Sequence, residues 1–441
     1  MSLLRPKLGL AVTCMPIYEL AQERISEIFK NALQTFQKLN VEVIPANNIV
    51  NSEEVAREAA RIFKQNAVDL VCVILGTWTP DNYLLAILDE IDVPIVIWAL
   101  PNGKSLSLCG SQLWCSILKE FSKKYWFIFG EISDSEQLSF LEKVSKVAAL
   151  VNKLKGSKVG LVGHRPWIMK GLSFDELSLK EVFGVDIVHI GLDDFNEEVN
   201  KIDEKEAEKV WNFVKKKIGR VLVGENECLL SVKYYLAMKN IISSLKLDAI
   251  TIECEPKLKG RVCLANSLIN DELEAVAACE SDIHSAIIML MLHLLTGKPV
   301  FSADQILVYE EDNSIVFSHC GSAPLSLAES SQQIVLDTHK EINSGLAVFF
   351  PVRPFERVTV VNLSGRKGTY RMCIAVGEGV KTDMVYAGTP MRVRFSTDIK
   401  NVLKIIAEEG FGHHWVLVPD DVGEELRELC KLLDIKCITI Y

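Results

Sequence analysis

One feature constrains this chain more than any other: over roughly its first 300 residues, short β-branched runs alternate with amphipathic stretches. Lys7–Cys14 is expected as a strand, Tyr18–Leu39 as a helix, Val41–Pro45 as a strand, and Ser52–Gln65 as a helix opened by Ser52 with two acids behind it. Strand, helix and strand follow at Asp69–Leu75, Pro80–Ile91 and Pro94–Leu100. Repeated βα units of this kind predict a parallel sheet with helices on both faces. The rhythm restarts at Gly156: Ser157–Val162 reads as a strand ending in Gly163-His164-Arg165-Pro166-Trp167. Then come Val185–Ile190, a charged helix Glu197–Lys217, a strand Arg220–Val223, a helix Val232–Leu245 and a strand Ala249–Ile252. An apolar helix after Cys279 is broken at Gly297-Lys298-Pro299, because proline cannot continue a helix.

From Phe301 the texture changes. Val300–Tyr309, Ser314–His319, Arg357–Leu363, Arg371–Gly377 and Met391–Phe395 are strand-like, with Gly, Asn or Asp connections suited to an antiparallel sheet or small barrel. A helix Asp421–Leu433 and a strand Lys436–Ile440 close the chain. The predicted fold class is therefore α/β: two Rossmann-like parallel-sheet domains, residues 1–156 and 157–298, followed by a β-rich, barrel-like C-terminal domain, residues 299–441. No internal repeat, low-complexity tract or long linker interrupts them, so the domains are expected to pack together.

Lys plus Arg number 48 against 58 Asp plus Glu, a net charge of −10. Phosphate affinity comes from clustered Lys and Arg, so nucleic acid and anionic membranes are not the expected partners. The longest apolar stretch, Ile283–Leu295, is interrupted by His284 and His293 and falls short of the ~20 residues that cross a bilayer; it reads as a buried helix. The N-terminus leads straight into a strand without a secretory h-region. Twelve cysteines are scattered in apolar contexts with no Cys-x-x-Cys pair, the usage of a reduced, cytoplasmic protein.

Common motifs fail. Asn102-Gly103-Lys104-Ser105 is half a phosphate loop, but Trp98 stands where the first glycine belongs. Neither early strand carries Gly-x-Gly-x-x-Gly, and neither Gly-x-Ser-x-Gly nor His-Glu-x-x-His occurs. Chemistry must come from dispersed residues.

Polar groups stand where a core would not want them at three places. Glu280 and Asp282 precede the apolar helix. Acids there are favourable on electrostatic grounds alone, and Asp282, being short, suits the N-cap, which leaves Glu280 over. Asp304 lies near the start of a strand-like run, where a lone acid is commonly a solvated loop residue. His319 and the pair His413-His414 form the third place; neighbours in extended chain point opposite ways, so one of the pair should face inward. Two carboxylates and an imidazole from separate elements suit a divalent cation with open positions, Mn²⁺ or Mg²⁺ rather than Zn²⁺.

At these residues the chain resembles the L-fucose isomerase and L-arabinose isomerase superfamily, specifically its shorter fucose-isomerase-like members. The resemblance runs through Gly76-Thr77-Trp78-Thr79, Val159–Pro166, Asn266–Glu272 leading to Ala278–Asp282, Leu295–Phe301, His319–Pro324 and Gly412-His413-His414. It implies an aldose–ketose isomerase acting on a pentose, 6-deoxyhexose or related sugar through a cis-enediol. Mn²⁺, or another divalent cation such as Mg²⁺ or Co²⁺, would be its cofactor. Carried over by motif, Glu280, Asp304 and His414 become metal ligands, and Glu280 and Asp304 the base and acid. His319 becomes a ligand or substrate contact, and His413 and Trp78 substrate-side residues. The resemblance further implies a homo-oligomer, trimer or hexamer, with active sites near subunit interfaces. A noncatalytic sugar-binding protein of the same fold, or another metal-dependent activity on a sugar, are the alternatives.

Overall fold

The computed structural model describes residues 4–17, 19–385 and 388–440; Tyr18, the expected first residue of the opening helix, lies outside them. The chain forms two compact units, Leu4–Asn152 and Lys153–Tyr441.

The first unit is built on strands β1 (Lys7–Thr13), β2 (Glu42–Pro45), β3 (Leu70–Leu75), β4 (Ile95–Ala99) and β5 (Tyr125–Phe129). They form a five-stranded sheet in the order β2-β1-β3-β4-β5, parallel throughout. β3 and β4 are buried at every position, as strands covered on both faces must be. Ser52 caps the helix Glu53–Gln65 by accepting from the Val55 amide at 3.3 Å, as its sequence predicts.

The second unit begins with another parallel sheet, built on β6 (Lys158–Val162), β7 (Asp186–Ile190), β9 (Ala249–Ile252) and β10 (Val276–Cys279), with a short β8 (Arg220–Val221) between β7 and β9 in the chain. The sheet order is β10-β9-β6-β7, all parallel, and β8 stands outside it. The expected helix Glu197–Lys217 is instead two, Leu192–Lys201 and Glu204–Val214, because Asp203 turns its side chain to the Glu206 amide and caps a new start.

The remaining strands are β11 (Phe301–Tyr309), β12 (Ser314–Ser318), β13 (Val335–His339), β14 (Ser344–Phe349), β15 (Phe355–Arg366), β16 (Thr369–Val380), β17 (Met391–Arg394), β18 (His414–Val418) and β19 (Lys436–Ile440). β15-β18-β11-β12-β17-β16 run antiparallel, and β16 pairs back with β15, so the strands close into a ring; β19 attaches parallel to β16. Closure removes the exposed edges an open sheet would carry. β8 belongs with β13 and β14 in a separate three-stranded sheet, which corrects its expected place in the central α/β rhythm.

The helix Ile283–Thr296 joins these layers. Every residue from Ile283 to Leu294 is buried, because one side meets β6, β9 and β10 and the other meets β11, β15 and β18 of the ring. A helix apolar all round belongs in such a sandwich. No helix among the described residues is long and apolar enough to cross a membrane.

Candidate active site

Glu280 follows directly on β10, and the chain there is strained. Glu280 and Ser281 both adopt left-handed backbone conformations, φ +61° and +54°, at a cost of ~1–3 kcal/mol each for residues bearing a Cβ. Local bonds hold the turn: the Ser281 amide donates to Ile252 O at 3.1 Å, the Asp282 amide to Cys279 O at 3.2 Å, and Ser281 Oγ to His164 O at 3.1 Å. β10, an edge strand, is braced by Asn270, whose side chain donates to Ala277 O at 2.9 Å and accepts from the Ala277 amide at 2.8 Å. Asp271 beside it accepts from the Leu325 and Ser326 amides, securing the loop that follows His319.

Asp304 and His414 meet through sheet register. Asp304 on β11 lies opposite His414 on β18 and opposite Ser318 on β12, which puts His319 at the same end of the ring. The result is a tight cluster. His414 Nε2 is 3.2 Å from Glu280 Oε2 and 3.9 Å from Asp304 Oδ1, and His319 Nε2 is 3.8 Å from Glu280 Oε1. Potential ligand atoms of Asp304, His319 and His414 all lie within 4.8 Å of one another, as do those of Glu280, His413 and His414. Glu280 Oε2, Asp304 Oδ1 and His414 Nε2 are buried without a hydrogen-bond partner among the described residues. Buried polar atoms are normally satisfied, and here carboxylate oxygens of Glu280 and Asp304 flank His414 Nε2, a cradle with the oxygen and imidazole donors of a divalent-cation site.

Asp282 is more than the helix cap expected of it. Its Oδ1 accepts from the Ser285 amide at 3.1 Å, while Oδ2 accepts from Ser285 Oγ at 2.6 Å and bonds His414 Nδ1 at 2.8 Å. A carboxylate on Nδ1 holds the ring so that Nε2 is the atom presented to the cradle. Sequence reasoning missed this role because the cap alone accounted for the residue.

Burial disfavours the His414 cation, but the Asp282 hydrogen bond and the nearby Asp282 and Glu280 carboxylates outweigh it and raise its pKa to about 10. Burial likewise pushes the Glu280 and Asp282 carboxyls up, and attraction to the nearby His414 overrides it, leaving both below their ordinary range. His413, exposed as a residue but with its ring partly covered against His414, is lowered by that partial burial and by the His414 charge.

His413 stands just outside β18 and is exposed, and its ring folds over that of His414 at a centroid distance of 4.1 Å. Extended-chain alternation thus separated the pair by burial but not by direction. His319 is buried, its Nδ1 3.3 Å from Cys320 Sγ. Trp78 belongs to the first unit, half-buried after β3, with its amide donating to Ser105 O at 2.8 Å. All twelve cysteines are free thiols.

Residues 14–156 match the family described as fucose/sulfoquinovose isomerase, N-terminal domain. The chain is 27% identical over 428 residues to a sulfoquinovose isomerase of Priestia aryabhattai, covering 93% of this chain and 95% of that protein. It is 26% identical over 375 residues to a sulfoquinovose isomerase of Alkalicoccus urumqiensis, covering 82% and 84%. The chain is a fucose-isomerase-like protein. As such it is an aldose–ketose isomerase. Among solved structures it is also similar, at 13% identity, to an ABC transporter periplasmic solute-binding protein from Actinobacillus succinogenes over 66% of this chain and 92% of that one; the TM-score of 0.19 carries no argument.

Proposed function

We propose that this fucose-isomerase-like chain is a metal-dependent isomerase in which Glu280, Asp304 and His414 hold the cation and the two carboxylates act as base and acid. The observation that carries this reading is that buried carboxylate oxygens of Glu280 and Asp304 lie 3.2 and 3.9 Å from His414 Nε2. Mn²⁺ is the first candidate, with Mg²⁺ or Co²⁺ as substitutes, since two carboxylates and one imidazole favour hard or borderline cations. When bound, the cation would offset the negative charge that develops on the sugar's O1 and O2.

The chain's own residues would do the rest. One carboxylate removes the proton from C2 of the open-chain aldose, the other delivers a proton at C1 or oxygen, and the cis-enediol between them is held in a buried, water-poor setting. His319, His413 and Trp78 are read as substrate-side groups. The division at residues 156 and 298, a cytoplasmic setting and a homo-oligomer, trimer or hexamer, with sites near subunit interfaces belong to the same reading.

For the substrate we infer a hexose with an anionic substituent, sulfoquinovose first, because the similar isomerases carry that name. A cleft of about 490 Å³ beside His413 and His414 supports this choice: Arg366 and Arg371 line it, and Arg371 Nε is buried without a hydrogen-bond partner among the described residues. The test is ketose formation from sulfoquinovose, L-fucose, L-arabinose and related aldoses by chelator-stripped protein with and without added Mn²⁺. Turnover restored by the metal and strongest on sulfoquinovose is expected. No turnover on any aldose with metal present would favour the sugar-binding alternative.

A further inference from the structure

The loop after β6 lies against the residue next to Glu280, since Ser281 Oγ donates to the His164 carbonyl at 3.1 Å. His164 is paired there with Glu253, which follows β9. Glu253 Oε2 accepts from the His164 amide at 3.0 Å and lies 2.9 Å from its Nδ1. The pair is asymmetric: the His164 side chain is 83% exposed and that of Glu253 14%. An ordinary surface ion pair joins two mobile, solvated partners and contributes little. Here the carboxylate is fixed within the fold by a backbone amide, and only the imidazole reaches out. Gly163 makes room for it, having φ +74° and a position where a Cβ would fall 2.4 Å from Glu253 Oε2. With the carboxylate accepting the Nδ1 proton, the lone pair of the neutral ring resides on Nε2. The pair sits at the carboxyl ends of β6, β9 and β10, the edge where open parallel sheets bind ligands.

Glu280 and Asp304 leave one step of an aldose isomerisation unserved. The sugar arrives as a ring, and no carbonyl exists at C1 until the C1–O5 bond breaks. We propose that His164, positioned by Glu253, is the acid–base group that opens the sugar ring, a role that rests on the isomerase reading of the adjoining cradle. Nε2 takes the proton from the O1 hydroxyl, the O1–H electron pair becomes the second bond of C1=O1, and the C1–O5 pair passes to O5. The imidazolium then returns the proton to O5. Protons and electrons balance without a co-reactant, and one nitrogen serves both ends because O1 and O5 share C1.

The experiment compares wild type with His164→Asn on two substrates: sulfoquinovose, which cyclises, and D-glyceraldehyde, which is too short to close a ring. Metal-loaded His164→Asn should lose about 100-fold in kcat/KM on sulfoquinovose, the scale of general acid–base catalysis, and stay within about twofold of wild type on glyceraldehyde. With C2-deuterated sulfoquinovose its primary isotope effect should fall toward unity, because ring opening becomes limiting. Glu253→Gln should show the same pattern with a smaller loss. Equal losses on both substrates with the isotope effect intact would make His164 a structural residue and overturn the role, as would undiminished activity on sulfoquinovose. Wild-type protein inactive on both substrates would instead overturn the reading of the cradle, and this role with it.

Discussion

Replacing Asp282 by Asn tests whether the cradle depends on a residue outside its own ligand set. The carboxylate uses both oxygens: Oδ1 for the Ser285 amide, Oδ2 for Ser285 Oγ and His414 Nδ1. An amide has one acceptor oxygen. If it keeps the helix cap, where Asn serves about as well as Asp, its NH₂ faces His414 Nδ1, which must then accept. The neutral ring's proton moves to Nε2, the atom directed at Glu280 and Asp304, and blocks the lone pair a cation needs. Loss of such an outer partner typically weakens metal binding about 10–100-fold, equivalent to roughly 1.4–2.7 kcal/mol. The cap survives, but the buried carboxylate opposite the His414 imidazolium is lost, so the stripped protein should be destabilised by about 3–5 kcal/mol at neutral pH. Calorimetric titration of stripped protein with Mn²⁺, alongside thermal unfolding, separates the two quantities. Asp282→Asn binding Mn²⁺ within threefold of wild type would refute the reasoning, and unchanged stability would show that the His414 imidazolium does not depend on Asp282.

Three further outcomes are expected. Glu280→Ala and Asp304→Ala should each abolish ketose formation while circular dichroism shows a folded protein; activity surviving in either would remove that acid from the mechanism. In stripped protein the imidazolium of His414, its pKa raised to about 10, contributes stability fully present below the unfolded value of ~6.5 and lost as pH rises through about 10. A cation must displace that proton, so Mn²⁺ affinity should increase between about pH 7 and 9 with roughly one proton released per ion, measured by calorimetry in buffers of different ionisation enthalpy; binding without proton release would exclude His414 as a ligand. Asn270→Ala leaves the amide and carbonyl of Ala277 without their side-chain partner, which should cost about 2–4 kcal/mol in urea unfolding and lower turnover by loosening the strand that leads into Glu280; an unchanged midpoint would show that β10 needs no such brace.

Much of the fold was legible in the sequence because it follows local rules. The βα rhythm implied parallel sheets, Ser52 and Asp282 marked helix starts, and the uniformly apolar run after Asp282 implied a helix covered on all sides. Where local rules compete, the sequence was silent or misleading. The helix Ile399–Glu409 was hidden among strand-like neighbours, and Arg220–Val221 left the central sheet because its partner, β13, is more than a hundred residues away.

The sequence by itself determined the chemistry on offer: two unplaced acids, three histidines near strand ends, and a resemblance connecting them. Only the tertiary structure decided how they combine. Register across β11 and β18 sets Asp304 opposite His414, two left-handed residues carry Glu280 to the same point, and the second oxygen of a helix cap turns the His414 ring. None of these relations is periodic or local, so no pattern in the chain could encode them visibly. They arise because a buried helix holds the end of a parallel sheet against a closed ring of strands.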